Sequence, residues 1–167
     1  MFRKLDDVIS AYRTVAEGTG KIFAQLTDDN LDRSVSEGHR SLGDIAWHIV
    51  VTIPEMMSRT GLGFSSVDWK SMPPSFAREI IEGYSDVSDE LLAAVRDNWS
   101  DEVLLQTDDM YGETWPRGMT LMALVNHEIH HRGQMTVLLR QAGSNVPGVF
   151  GPSKEEWKTF GLNEPPY

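Results

Sequence analysis

Apolar residues recur at steps of three and four along most of this chain and nowhere alternate convincingly with polar ones. Leu5, Val8, Ile9, Tyr12, Val15, Ala16, Ile22, Phe23 and Leu26 share one side of a helix predicted over about residues 2–26, weakened at Gly18 and Gly20. A polar connection rich in Asp, Ser and Gly follows from Thr27 to Arg40. Ser41 then caps a second helix, its hydroxyl placed to accept from the Asp44 backbone while the Asp44 carboxylate suits the positive helix end. The inward stripe of this helix reads Ile45, His48, Ile49, Thr52, Ile53, Met56. Pro54 predicts a kink rather than a stop, and Gly61 and Gly63 close the element. A third helix is predicted from near Ser75, with Phe76, Ile80, Tyr84, Val87, Leu91 and Val95 facing inward. Ser100 to Gly118 reads as a short helical turn and then a polar loop, and a fourth helix runs from about Met119 to Gln141, ended by Gly143. In the Pro- and Gly-rich tail, about residues 145–167, Val149, Phe150, Trp157 and Phe160 predict packing onto the body.

Four amphipathic helices predict an all-α four-helix bundle, and 167 residues without a linker predict one domain over 1–167. Connections of about 14 residues after the first and second helices admit parallel as well as antiparallel neighbours, so periodicity leaves the topology open. Composition removes several chemistries. With no cysteine there is no disulfide, thiolate metal site or cysteine nucleophile, and any thiol chemistry needs a thiol from outside. A formal charge of -10 argues against nucleic acid as a partner. No apolar run has the length of a membrane span and the first residues turn acidic, so no membrane association is expected and the cytoplasm is the expected location. Between Trp115 and Gly143, however, Arg117, Arg132 and Arg140 face only Glu128, and a locally positive pocket there would attract a small anion.

The candidate chemistry lies on the fourth helix, in Asn126-His-Glu-Ile-His-His-Arg-Gly-Gln134. His127 and His131, four residues apart, project from one face on successive turns, and two inward histidines are costly to bury without a shared purpose. His48 holds the same kind of inward position on the second helix, so three neutral imidazoles can meet at one divalent ion and leave positions open for water or substrate. Zinc and nickel suit such a set first, with iron and copper behind them. His127, Glu128 and His131 also satisfy HExxH, which in zinc peptidases supplies two ligands and a general base. The later histidine of the extended motif is missing, and Glu128 points about 100 degrees away from His127, as a base, a support to a ligand or a surface acid. His130 is expected against a neighbouring helix or a second subunit, His39 in solvent or at the mouth of the site as a proton carrier, and Arg132 and Arg140 on a solvated face.

Asp44-Ile-Ala-Trp-His48-Ile-Val, His-Glu-Ile-His-His-Arg-Gly-Gln134 and Leu-Leu-Arg-Gln-Ala-Gly-Ser-Asn-Val-Pro147 together resemble the DinB family, also called DinB/YfiT-like, over nearly the whole chain. The resemblance implies up-down-down-up topology, a divalent metal on His48, His127 and His131, and a homodimer. It also implies, for some members, transfer of low-molecular-weight thiols such as bacillithiol or mycothiol to acceptors, or thiol-dependent isomerisation. Three functions therefore stand as expectations. The first is a metal-dependent enzyme that activates water or a small thiol for attack on a small-molecule substrate. The second is a zincin-like metallopeptidase using Glu128, and the third a metal-stabilised binding protein without turnover.

Overall fold

The structure, a computed structural model, describes residues 1–163; residues 164–167, the end of the expected packed tail, lie outside the described residues. Four helices carry the fold: α1 (Leu5–Phe23), α2 (Leu42–Ser58), α3 (Ala77–Asn98) and α4 (Arg117–Gln141). They form a closed ring in which α1 packs on α3, α3 on α2, α2 on α4 and α4 on α1. Their directions follow from the contacts at their ends. Asp101, just past α3, accepts from the Leu5 backbone at 2.8 Å, while Phe23 at the far end of α1 meets Tyr84 in the first half of α3, so these two helices are antiparallel. Trp47 early in α2 donates to the Ser71 carbonyl ahead of α3, and Ser65 after α2 donates to Glu90 far along α3, so these two are parallel. The start of α4 meets the start of the chain through Phe2 N–H to Gly118 O, and Arg132 meets Val15 and Thr19, so α4 runs with α1. The topology is up-down-down-up.

Local chemistry explains the element boundaries. Ser41 and Asp44 close a capping box, each side chain accepting from the other's backbone N–H at 3.1 and 2.9 Å. The helix continues through Pro54. Gly143 follows α4 with φ of 78°, the left-handed conformation that glycine adopts without strain. Gly118 is required by a close approach: a Cβ there would lie 2.1 Å from the Phe2 carbonyl oxygen. The core draws on all four helices, with Tyr12, Phe23, Ile49, Ile53, Ile80, Leu91 and Leu124 almost wholly buried.

Three expectations need correction. The polar loop expected before α4 is a β-hairpin, β1 (Thr107–Met110) paired antiparallel with β2 (Glu113–Pro116), entered through a 3-10 turn at Val103–Leu105. Its two-residue turn, Tyr111-Gly112, has both φ values positive, which matches strand twist. Strands of four residues, Thr-Asp-Asp-Met and Glu-Thr-Trp-Pro, are too short and too polar to show an alternating pattern. Second, Phe76 precedes α3 and is exposed, because the helix starts at Ala77, whose N–H is taken by Asp28. Third, the tail residues divide. Val146 is buried, Val149 packs against the core and Trp157 is half-buried, whereas Phe150 and Phe160 are exposed, Phe150 lying under the Arg132 guanidinium.

Candidate metal centre

The bundle ring sets the site because α2 and α4 are direct neighbours. His48 projects from α2 at the level where His127 and His131 project from successive turns of α4. The Nε2 atoms of His48 and His131 each lie 3.1 Å from Nε2 of His127, and the three ligand atoms fall within 4.8 Å of one another. Three nitrogens held about 2.0–2.1 Å from one tetrahedral ion would be about 3.3–3.4 Å apart, so the donor set fits a single metal ion with little movement. The rings meet edge to face, at interplanar angles of 65°, 87° and 71°, which aims nitrogen lone pairs at a common point instead of stacking the imidazoles.

Electrostatics keep these imidazoles neutral. Burial and then the Arg40 charge lower the pKa of His48 to about 4. Burial and the neighbouring His131 do the same to His127, again to about 4, and burial lowers His131 from its ordinary value. A neutral imidazole is the metal-binding form. Gln134 completes the arrangement. Its carboxamide oxygen accepts from His131 Nδ1 at 2.7 Å, which places the proton on Nδ1 and leaves Nε2 bare toward the cluster. Its amide nitrogen meets His130 Nε2 at 3.2 Å, so one side chain bridges both histidines.

The other sequence candidates are placed as follows. Glu128 is 1% exposed, not a surface acid, and turns toward Tyr84 of α3. Its Oε1 accepts from the Tyr84 hydroxyl of α3 at 2.5 Å, and its Oε2 makes no hydrogen bond among the described residues. Burial raises its pKa against the opposing pull of the Thr19 and Tyr84 hydroxyls and the Arg132 charge. Arg132 is likewise buried rather than solvated, donating to the Val15 carbonyl and the Thr19 hydroxyl of α1. Arg140 pairs with Glu155 and Arg117 with Asp108. None of the three arginines expected to make a positive pocket is therefore free to do so. His130 is exposed and touches His131 edge to face, and among the described residues no neighbouring helix buries it. His39 joins His131 in lining a cavity beside the cluster.

A sequence model of the DinB family matches residues 1–165. The chain belongs to the DinB family. It is 39% identical over 165 residues to the uncharacterized protein YrdA of Bacillus subtilis strain 168, covering 99% of both chains. A DinB-like protein of Bacillus cereus ATCC 10987 shares 40% identity, with a TM-score of 0.86 over 90% of this chain and all of that one. A second DinB-like protein, YjoA of Bacillus subtilis, shares 16% identity with a TM-score of 0.68 over 86% of this chain and 97% of that one, a likeness of fold. As a DinB protein the chain is a helical bundle with a three-histidine group suited to a metal ion. Among the described residues no helix is long and apolar enough to cross a membrane.

Proposed function

We propose that this DinB protein is a cytoplasmic, homodimeric, metal-dependent enzyme in which His48, His127 and His131 hold a divalent ion, zinc or nickel before iron or copper. The observation that carries the reading is the convergence of three Nε2 atoms from two helices, with Gln134 orienting one of the rings. An ion on three imidazoles keeps open positions and lowers the pKa of water or a small thiol placed there, supplying hydroxide or thiolate near neutral pH. The chain has no cysteine of its own to compete for the ion, which is compatible with a low-molecular-weight thiol arriving as cosubstrate.

The surroundings of Glu128 weigh against the zincin-like alternative. A general base must reach the water it activates, and this carboxyl is buried against Tyr84 on the α1 and α3 side of α4. The reading of a metal-stabilised protein without turnover is separated by reactivity. Cobalt substitution tests the site and the nucleophile together. In the parent, added thiol should produce a thiolate-to-cobalt charge-transfer band, and the loaded protein should join the thiol to a small electrophile or hydrolyse that electrophile. His127→Ala should lose both signals. A cobalt protein that binds metal but changes neither spectrum nor substrate with any thiol or water-reactive electrophile supports the binding role instead.

A further inference from the structure

The cavity beside His131 has a volume of about 420 Å³, in the range of pockets for small molecules. Its walls are apolar: Val35 from the connection between α1 and α2, Ile45 from α2, and Val137 and Leu138 from α4. Val35 is 58% and Val137 51% exposed, so two large apolar side chains face solvent at one concave place. His131 and Gln134 line the same cavity, so a molecule held there touches the edge of the histidine cluster.

The charge in the cavity is one-sided. Among the described residues Arg40 lines it and no acidic residue does. Arg117 and Arg140 are paired with carboxylates and Arg132 is bound to α1, but the Arg40 side chain has no hydrogen bond or ion pair among the described residues. Its charge acts on all three imidazoles of the cluster. An unpaired guanidinium beside an apolar wall is arranged for a planar anion joined to an apolar body, because its parallel N–H groups match a carboxylate in a two-point contact.

Building on the metal-centre reading, we infer that the cavity takes a small amphipathic carboxylate, its apolar body against Val35, Ile45, Val137 and Leu138 and its carboxylate on Arg40. Arg40 is then the residue that sets substrate class, and the reacting part of the molecule lies next to His131. The connection from Thr27 to Arg40, which carries Arg40 and Val35, is a specificity element of the site.

Hexanoate, hexanamide and hexylamine serve as probes, titrated at pH 7.5 into the isotope-labelled full chain with and without nickel and followed by amide chemical shifts. In the metal-free chain hexanoate should bind at least tenfold more tightly than hexanamide, and hexylamine more weakly than either. Shifts should centre on Val35, Ile45, Val137 and Leu138. Arg40→Gln should bring hexanoate and hexanamide within twofold of each other, while Arg40→Lys retains part of the preference; the exposure of Arg40 makes both variants tolerable to the fold. Equal binding of acid and amide, a preference that survives Arg40→Gln, or shifts centred elsewhere would overturn the inference. Elemental analysis of the same samples separates it from the metal centre. A chain that holds no nickel but shows the Arg40-dependent preference supports this inference alone, and one that holds nickel with no preference for the acid overturns it alone.

Discussion

Tyr84→Phe isolates one atom of the buried network behind the metal centre. The ring stays in place against Phe23, 4.6 Å between centroids, so packing is conserved and only the hydroxyl is lost. That hydroxyl donates to Glu128 Oε1, and the other oxygen of the carboxyl has no hydrogen bond to fall back on among the described residues. Removing the donor leaves a buried carboxyl oxygen unsatisfied, which costs about 1–3 kcal/mol, and between residues 4% and 1% exposed the cost belongs at the upper end, about 2–3 kcal/mol. For a domain of this size each kcal/mol moves the melting temperature by about 2–4 °C, giving a fall of about 4–12 °C. Tyr12→Phe is the internal control. Its hydroxyl meets Ser88 at 3.3 Å, a neutral pair whose loss costs about 1 kcal/mol. Urea unfolding of the metal-free chains at pH 7.5 should show the larger midpoint shift in Tyr84→Phe at unchanged slope. Metal content after loading should remain at the parental level in Tyr84→Phe and in Glu128→Gln, because this network faces α1 and α3. A change in Tyr84→Phe below about 0.5 kcal/mol would refute the energetic reasoning, and loss of metal in either variant would refute the separation of Glu128 from the centre.

Further outcomes follow from other parts of the structure. Gly118→Ala places a methyl 2.1 Å from the Phe2 carbonyl oxygen, a backbone atom that cannot swing aside, and should destabilise the chain by about 1–3 kcal/mol in the same urea assay. Gln134→Leu frees the His131 ring from its acceptor and should weaken metal binding by about 10–100-fold in competition with a chromogenic chelator, with secondary structure unchanged. His48 and His127 have folded pKa values near 4, depressed from 6.5, so the unfolded chain binds more protons between those limits. Stability of the metal-free chain should fall as pH drops from about 6.5 to about 4, and the fall should shrink in a His48→Gln, His127→Gln double variant; a parent curve that is flat or rises on acidification contradicts this assignment.

Much of the bundle is written in periodicity because burial on one helix face is a local, repeating constraint. The Ser41 cap, the passage of α2 through Pro54 and the stop at Gly143 are each local as well, and each has its structural counterpart. The hairpin escaped because its pairing is stabilised by contacts distant in sequence: Tyr111 donates to Glu55, and its ring lies 4.3 Å under the Arg59 guanidinium of the α2 end. The same distinction runs through the site. His127 and His131 declare a common face by spacing, and α2 brings His48 to them. Periodicity does not reveal that Glu128 and Arg132 share a second inward face of α4, since charged residues on a helix ordinarily mark solvent. The helix is enclosed by both α1 and α2, and a helix with two neighbours buries two stripes. Arg40 stood at the end of a polar connection with no pattern to distinguish it, and only the folded path of that connection places it beside the cluster.

Elemental analysis of the untagged protein, as purified and after chelation and reloading, tests the central claim most directly when run beside His48→Ala and His127→Ala. The account predicts close to one divalent ion per chain in the parent, removed by chelator with a lower melting temperature and restored on reloading, and absent from both variants although they remain helical. A parent that neither holds nor rebinds an ion, with variants that differ from it only in stability, would contradict the metal centre and leave the three histidines as packing residues between α2 and α4.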